Sequence, residues 1–279
     1  MNYQSLKNHG TNVLEDADVP NPSLDAFYLL EHLTGFDKQE FLMRQDEEVP
    51  DGIVSHYEEL LKRRAGREPL QYITKDSFFM GLEFKVSEDV LIPRQDTEVL
   101  AEEAIETLKE MPENAKVLDL CTGSGAIAIS VKHYCPLKIV TGVDISDAAL
   151  EVAWENAQEN ETDVTFVLSD MFEELEDEKF DMIISNPPYV TSEEYEVLMP
   201  EVKNYEPKTA LVAGEDGLDY YRIIAKEAKS FLNPKGFLLL EIGCNQALQV
   251  KELIENDFED IKVLKDLQGL DRVIKARLK

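Results

Sequence analysis

The sequence predicts an α/β fold with a mostly parallel sheet, together with a small helical domain at the N-terminus. Two observations support this prediction. From Lys116 onward, short apolar runs alternate with segments of helical spacing, which is typical of a parallel sheet with helices on both faces. Residues 1–74 show helical spacing and no strand signals. The 279 residues suffice for one large domain and one small domain.

The N-terminal region contains two well-marked helical patterns. Ser23 suits the N-cap of an apolar helical run, and Gly35 suits its end. Asp51 can cap a second helix that continues to Arg64. We therefore predict a helical bundle as a domain over residues 1–74, with partner binding or plain scaffolding as its role.

Two short apolar runs around Gly81, within residues 77–86, are typical of a β-hairpin. We expect this hairpin to join the two domains as a linker over residues 75–90. The second domain then occupies residues 91–279.

The second domain begins with a helix for which Asp96 or Thr97 is a natural cap, because acidic residues in its first turn suit the helix dipole. Strand and helix patterns then alternate, and a final antiparallel pair closes the domain. Strands are predicted at 116–120, 138–145, 164–168, 180–184, 236–242, 261–266 and 272–278, and helices at 126–134, 146–160, 220–232 and 247–256. A long loop is predicted between the strand at 180–184 and the helix at 220–232.

A glycine-containing loop, residues 119–127, joins the first strand of this domain to its first helix. The acidic residue Asp144 ends the next strand, where it can hold the two hydroxyls of a ribose. The loop lacks the third glycine of the dinucleotide fingerprint and the Gly-Lys-Ser/Thr of a phosphate loop. A ribose-bearing ligand without a pyrophosphate, such as S-adenosylmethionine, therefore fits better. Asp170 could accept from an adenine amine and Met171 could pack beside the ring, or they could equally be a helix cap and a core residue.

The segment Asn186-Pro187-Pro188-Tyr189 follows a buried strand. A residue before proline is driven out of the helical region, and prolines cannot continue the sheet ladder. The Asn186 side-chain oxygen and the Pro187 carbonyl are thus left free as acceptors, beside the flat ring of Tyr189. Two acceptors beside an aromatic ring suit a planar NH₂ group, either an amide or the exocyclic amine of a base.

The charge balance is strongly acidic, with 28 basic and 57 acidic side chains and a net charge of −29. This argues against direct nucleic-acid binding, which relies on clustered Lys and Arg. It permits a basic protein partner, although solubility or a salt-adapted host explains it at least as well.

The sequence shows no signal peptide and no membrane-length apolar run. The three cysteines and four histidines form no metal pattern, so we expect a cytoplasmic protein with reduced thiols and no metal.

The glycine loop, Asp144 and Asn-Pro-Pro-Tyr together resemble a class I, Rossmann-like methyltransferase. More specifically, the chain resembles the HemK/PrmC family, the peptide chain release factor N5-glutamine methyltransferases. The resemblance covers nearly the whole length. Its motifs also include Gly66-Arg67-Glu68-Pro69-Leu70-Gln71-Tyr72, Ile92-Pro93-Arg94-Gln95-Asp96-Thr97-Glu98, Tyr205-Glu206-Pro207-Lys208-Thr209-Ala210-Leu211 and Gly214-Glu215-Asp216-Gly217-Leu218. The chain departs from the family at Cys121, where many members have glycine, and at Met171, where some have tryptophan.

The resemblance implies methyl transfer from S-adenosylmethionine to the glutamine side-chain amide in the Gly-Gly-Gln motif of a bacterial release factor. It implies that the cofactor contacts Cys121, Thr122, Gly123, Ser124, Gly125, Asp144, Met171 and Asn186. It also implies that Asn186, Pro187, Pro188 and Tyr189 hold the glutamine, with Asn186, Pro187 and Tyr189 taking part in catalysis. The helical domain would help to dock the release factor.

Three alternatives remain open at this point. Asn-Pro-Pro-Tyr is shared with adenine-N6 and guanine-N2 methyltransferases, although the acidic charge does not favour a nucleic-acid groove. A related enzyme modifies a glutamine of a ribosomal protein, and only the wider motif set favours release factors. The third alternative is a non-catalytic adaptor that binds S-adenosylmethionine, but such a protein would not need an intact Asn-Pro-Pro-Tyr segment beside an intact glycine loop.

Overall fold

The computed structural model describes residues 1–176 and 178–279, which form two compact units. The smaller unit contains Met1–Lys75 and Met199–Tyr205, and the larger unit contains Asp76–Leu198 and Glu206–Lys279. The helices are α1 (Tyr3–Asp16), α2 (Pro22–Thr34), α3 (Lys38–Arg44), α4 (Asp51–Ala65), α5 (Leu70–Thr74), α6 (Glu98–Lys109), α7 (Ala126–Tyr134), α8 (Asp147–Glu159), α9 (Ser192–Glu196), α10 (Pro200–Tyr205), α11 (Asp219–Phe231) and α12 (Ala247–Ile254). The strands are β1 (Asp76–Phe79), β2 (Leu82–Lys85), β3 (Lys116–Leu120), β4 (Ile139–Asp144), β5 (Thr165–Leu168), β6 (Phe180–Ser185), β7 (Leu232–Glu241), β8 (Phe258–Lys265) and β9 (Asp271–Leu278). Within the described residues, no helix has both the length and the apolar character that a membrane crossing requires.

The smaller unit is helical, and α1, α2 and α4 pack around its apolar core. A Cβ at Gly10 of α1 would lie 2.1 Å from the hydroxyl oxygen of Tyr57 in α4, so this close approach requires glycine. The Tyr57 hydroxyl donates to the carbonyl of Ala26 at 2.9 Å, and burial raises its pKa above the ordinary value. The predicted helical bundle is thereby confirmed.

The ends of these helices differ in part from the prediction. Gly35 ends α2 in the left-handed region at φ 70°, as expected. Ser23 is not the N-cap, because α2 already begins at Pro22, whose fixed φ and missing N–H suit the first position of a helix. Asp51 is the first residue of α4 rather than its cap.

Helix α10 belongs to the smaller unit although it follows β6 in sequence, and buried ion pairs hold it there. Arg64 of α4 donates through Nε to Asp25 at 2.7 Å and through a terminal nitrogen to Glu201 of α10 at 3.1 Å. Arg67 binds both oxygens of Glu201 at 2.7 Å. Burial would raise the pKa of Glu201, but the hydrogen bonds from Arg67 and Arg64 outweigh it and lower this pKa. The prediction of a long loop between β6 and α11 is wrong, because this segment contains the helices α9 and α10.

The larger unit contains a seven-stranded sheet in the order β5-β4-β3-β6-β7-β9-β8. Strands β3 to β7 run parallel to one another, and β9 is antiparallel to both β7 and β8. The predicted mostly parallel sheet and its antiparallel closing pair are confirmed. Successive side chains of a strand point to opposite faces of the sheet, and each face has its own apolar core. Ile183 packs on the face covered by α11 and α12, and Ile184 packs on the face covered by α6 and α7.

The predicted hairpin is formed by β1 and β2, in which Phe79 pairs with Leu82. The two turn residues, Met80 and Gly81, have φ of 53° and 75°, as a type I′ turn requires. The rings of Phe79 and Phe84 are buried in the core of the larger unit, so the hairpin packs as part of that unit.

The segment before α6 differs from the prediction. Neither Asp96 nor Thr97 caps this helix with its side chain, because both lie in a 3₁₀ turn, Gln95–Thr97, that leads directly into α6. The Thr97 hydroxyl is therefore free to bond elsewhere, and it does so at the site described below.

Candidate functional site

The pairing of β3 with β6 at the centre of the sheet brings the glycine loop and Asn-Pro-Pro-Tyr side by side. Leu120 and Ser185 end these strands in register, and the buried Ser185 hydroxyl donates to the Leu120 carbonyl at 2.7 Å. Strand order reverses here, since β4 lies on one side of β3 and β6 on the other. Ligands of open α/β sheets bind at such a switch point, beyond the carboxyl ends of the strands.

A recess of about 730 Å³, including its open mouth, lies at this edge. Five of the eight predicted cofactor residues line it: Cys121, Gly123, Asp144, Met171 and Asn186. Asp170 also lines it, as do Tyr220, Pro207 and Thr209, none of which was predicted as a cofactor residue.

The other three predicted cofactor residues, Thr122, Ser124 and Gly125, do not line the recess and instead shape the loop. The Thr122 hydroxyl donates to Oδ2 of buried Asp119 at 2.7 Å, and burial raises the pKa of Asp119 to about 7. The Ser124 carbonyl accepts from Asn156 at 2.9 Å. Gly125 has φ 80°, and a Cβ there would lie 2.8 Å from the Ile129 side chain. This position consequently requires glycine.

Asp144 lines the recess and is held by the backbone. Its Oδ2 accepts from the Gly123 amide at 2.9 Å and its Oδ1 from the Ser146 amide at 3.0 Å. Burial raises the pKa of Asp144, and hydrogen bonds from the amides of Ser146, Gly123 and Ile145 oppose this rise. A carboxylate oxygen can accept more than one hydrogen bond, so both oxygens of Asp144 can still accept from ligand hydroxyls.

Cys121 and Met171 form a sulfur-lined wall, with their sulfur atoms 3.8 Å apart. Burial, with the nearby charges of Asp144 and Asp119, raises the pKa of the Cys121 thiol. The thiol therefore stays protonated, and the wall offers a polarizable, uncharged surface to a flat ring.

A second, smaller recess adjoins the first, and Asn186 lines both. Pro187 and Tyr189 line the smaller recess, and Pro188 lines only the larger one. Asn186 thus stands where a ligand in one recess meets a ligand in the other.

The Asn186 amide nitrogen donates to the Thr97 hydroxyl oxygen at 3.2 Å, which leaves its Oδ1 available as an acceptor. The Tyr189 hydroxyl donates to Glu241 Oε1 at 3.4 Å, and burial together with Glu241 raises the Tyr189 pKa. Glu241 also lines the smaller recess, and burial raises its pKa to about 7.

Sequence reasoning missed Thr97, Glu241 and Arg94 as site residues. Arg94 lines the smaller recess and binds both oxygens of buried Glu206, at 2.5 and 2.7 Å. A signal was present for Glu241, since a lone acid at the carboxyl end of a buried apolar strand lies at the ligand-binding edge.

Two known domains match this sequence. The PrmC N-terminal domain matches residues 5–74, and the Methyltransferase small domain matches residues 97–202. Among solved structures, a methyltransferase from Pyrococcus furiosus shares the fold, with a TM-score of 0.53 at 18% identity over 71% of this chain and 90% of that one.

Curated relatives match over nearly the whole chain. The release factor glutamine methyltransferase of Fusobacterium nucleatum subsp. nucleatum is 42% identical over 274 residues, covering 97% of this chain and 77% of that protein. The release factor glutamine methyltransferase of Geobacter sulfurreducens is 41% identical over 266 residues, covering 95% and 93%. These matches confirm the resemblance seen in the motifs, and the chain belongs to the release factor glutamine methyltransferase family.

Proposed function

We propose that this enzyme transfers the methyl group of S-adenosylmethionine to the side-chain amide N5 of the glutamine in the Gly-Gly-Gln motif of bacterial peptide chain release factors. The named activity of its relatives supports the reaction and the substrate. The observation on which the assignment depends is the position of Asn186, which lines both recesses and keeps its Oδ1 as an acceptor.

The residues of the larger recess fit S-adenosylmethionine. Asp144 retains acceptor capacity for the ribose hydroxyls, and a Cβ at Gly123 would meet no atom within 4 Å, so the loop leaves open space for a ligand. Cys121 and Met171 provide an uncharged wall for the adenine, and Asp170 lies beside them as an acceptor for its amine. When bound, the cofactor supplies an electrophilic methyl group on a positively charged sulfur.

The protein's contribution to the reaction is to position a weak nucleophile. An amide nitrogen reacts poorly because its lone pair is delocalised, so alignment with the methyl group provides most of the acceleration. Asn186 Oδ1 and the Pro187 carbonyl accept the two N–H bonds of the glutamine amide and direct its lone pair. These two acceptors also stabilise the positive charge that develops on nitrogen, and one of the two N–H protons leaves after the transfer to give the neutral methylated amide. Tyr189 packs against the flat amide.

The function is tested by transfer of labelled methyl groups to a purified release factor, with its Gly-Gly-Ala variant as the control. We expect label in the wild-type factor and none in the variant. Label in both, or label in a ribosomal protein or nucleic acid in place of the release factor, would contradict the proposed substrate.

The first prediction concerns the cofactor. Asp144→Ala should raise the Kd for S-adenosylmethionine by at least about tenfold, because hydrogen bonds to a charged acceptor contribute about 1.5–3 kcal/mol each. Isothermal titration measures the effect. Asp147→Ala is the matched control, since Asp147 is an exposed acid of the adjacent helix α8 that does not line the recess. Equal affinities of the two folded variants would exclude Asp144 as the ribose acceptor.

The second prediction concerns catalysis. Asn186→Ala should lower kcat by about 10²–10³-fold, the usual loss for one aligned group that stabilises developing charge. Affinity for S-adenosylmethionine should fall much less. Asn186→Asp keeps the shape and an acceptor, so it should retain more activity than alanine. Single-turnover methylation decides this, and wild-type rates in both variants would place the reacting amide elsewhere.

The third prediction concerns docking, for which we propose the helical unit. Its helices α2 and α3 expose apolar side chains, among them Leu42 and Met43, which are 55% and 71% exposed. Exposed apolar side chains that are contiguous often mark protein interfaces, and Leu42 and Met43 are neighbours in sequence. The double variant Leu42→Ser, Met43→Ser should raise KM for the release factor at unchanged kcat and cofactor affinity.

The matched control for docking is Leu248→Ser, which replaces a 67% exposed leucine of the larger unit. Steady-state kinetics with intact release factor compares the two. An unchanged KM in the double variant would contradict docking by α3, and so would an equal rise of KM in the control.

A further inference from the structure

The backbone of Asn-Pro-Pro-Tyr is held at its last residue by a glutamine side chain from another element. Gln246 lies in the turn between β7 and α12 and is partly buried. Its Nε2 donates to the Tyr189 carbonyl at 3.1 Å and to the Gly217 carbonyl at 3.2 Å, and its Oε1 accepts from the Gly243 amide at 2.9 Å. These three hydrogen bonds, here named the Gln246 clamp, join Tyr189 to Gly217 and to the turn after β7.

The partners of the clamp allow only one orientation of the Gln246 amide. The Gly243 N–H can only donate, so it must face Oε1. The two carbonyls can only accept, so they take the two hydrogens of Nε2. The Gln246 N–H also donates to the Gly243 carbonyl at 2.9 Å, which closes the turn from which the side chain extends. The amide is therefore fixed with its NH₂ end toward Tyr189.

The clamp also requires a glycine at position 217. Gly217 has φ 73°, and a Cβ there would lie 2.4 Å from the Tyr189 carbonyl oxygen and 2.7 Å from Gln246 Nε2. A Cβ does not come so close to other heavy atoms, so a side chain at this position would separate the bonded groups. This close approach gives a reason for the second glycine in the segment 214–218, no residue of which lines either recess.

Tyr189 is held at two points by the same connection between β7 and α12. Its carbonyl accepts from Gln246, and its hydroxyl donates at 3.4 Å to Oε1 of Glu241, the last residue of β7. The next residue is fixed by the backbone, since the Val190 N–H donates to the Leu211 carbonyl at 2.8 Å. The Tyr189 ring, which lines the smaller recess, thus has its place set by contacts on both sides of it.

We propose that Gln246 is a positioning residue that holds the Tyr189 ring where it packs against the amide of the substrate glutamine. This inference rests on the proposed function, because that amide is the group against which the ring packs. The carbonyl and the ring of Tyr189 share one α-carbon, so loss of the donors on the carbonyl lets the whole residue shift. Transfer to a weak nucleophile is sensitive to such shifts, since a displacement of about 1 Å can cost about 10²-fold in rate.

The experiment measures single-turnover methylation of purified release factor by wild type and Gln246→Glu at saturating S-adenosylmethionine. Glutamate keeps the shape of glutamine and the acceptor for Gly243, but its carboxylate presents oxygen to the carbonyls of Tyr189 and Gly217. We expect the rate to fall by about tenfold to 10²-fold, as for other losses of alignment. Affinity for S-adenosylmethionine should stay near wild type, because Gln246 does not line the larger recess.

The matched control is Gln158→Glu, which makes the same change of charge at an exposed glutamine near the end of α8. We expect the wild-type rate for this variant. A wild-type rate for Gln246→Glu would overturn the proposal. An equal loss in the control would also overturn it, since the added charge alone would then explain the effect.

A pair of glycine variants tests the clamp from its other partner. Gly217→Ala and Gly269→Ala both place a methyl group at a positive φ, 73° and 82°, so both strain the backbone alike. Only the first crowds the clamp, because a Cβ at Gly269 would meet no atom within 4 Å. We expect a slow Gly217→Ala and a wild-type rate for Gly269→Ala. Equal rates in the two folded variants would contradict the proposal. If Gly217→Ala does not fold, Gln246→Glu decides the matter.

A double-mutant cycle separates positioning from a general loss of structure. If Gln246 acts through the ring, Gln246→Glu should cost little further rate in Tyr189→Ala, which has no ring to misplace. An equal fold-loss in both backgrounds would show that Gln246 acts independently of the ring and would overturn the proposal. A wild type inactive on release factor would refute the proposed function together with this inference. An active wild type with an unimpaired Gln246→Glu would refute the inference alone.

Discussion

The parallel pairing of β3 with β6 is the constraint on which the site depends. It aligns Leu120 with Ser185, so that the glycine loop and Asn-Pro-Pro-Tyr leave the sheet at the same height. Prolines stop the ladder there, because they have no N–H to donate to a neighbouring strand. Asn186, the first residue after β6, lines both recesses.

Burial of acidic side chains gives this edge of the sheet its electrostatic character. Asp119 is the penultimate residue of β3, whereas Asp144 and Glu241 end β4 and β7, and burial raises the pKa of each. Each carboxyl accepts from local donors: the Thr122 hydroxyl for Asp119, backbone amides for Asp144, and the Tyr189 hydroxyl for Glu241. A concentration of acceptors and negative charge suits a cationic sulfonium cofactor and an NH₂ substrate.

Local patterns in the sequence predicted most of the architecture, because strands, helices and tight turns depend on neighbouring residues. The strand Lys116–Leu120 and the helix Ala126–Tyr134 have the predicted bounds, and Gly81 marked the hairpin turn. Contacts between distant residues could not be predicted in this way. The ion pair that holds α10 joins Arg64 to Glu201, 137 positions apart. Thr97 was predicted as a helix cap from its neighbours, whereas its hydroxyl accepts from Asn186, 89 positions away.

The central claim is that the reacting amide lies at the junction of the two recesses, bound by Asn186 and Pro187. The most direct measurement is a crystal structure of the enzyme with S-adenosylhomocysteine and a Gly-Gly-Gln peptide. The account predicts that the glutamine nitrogen lies within hydrogen-bond distance, about 2.7–3.2 Å, of both Asn186 Oδ1 and the Pro187 carbonyl oxygen. A glutamine bound outside the smaller recess, or an Asn186 amide nitrogen facing the glutamine nitrogen, would contradict it.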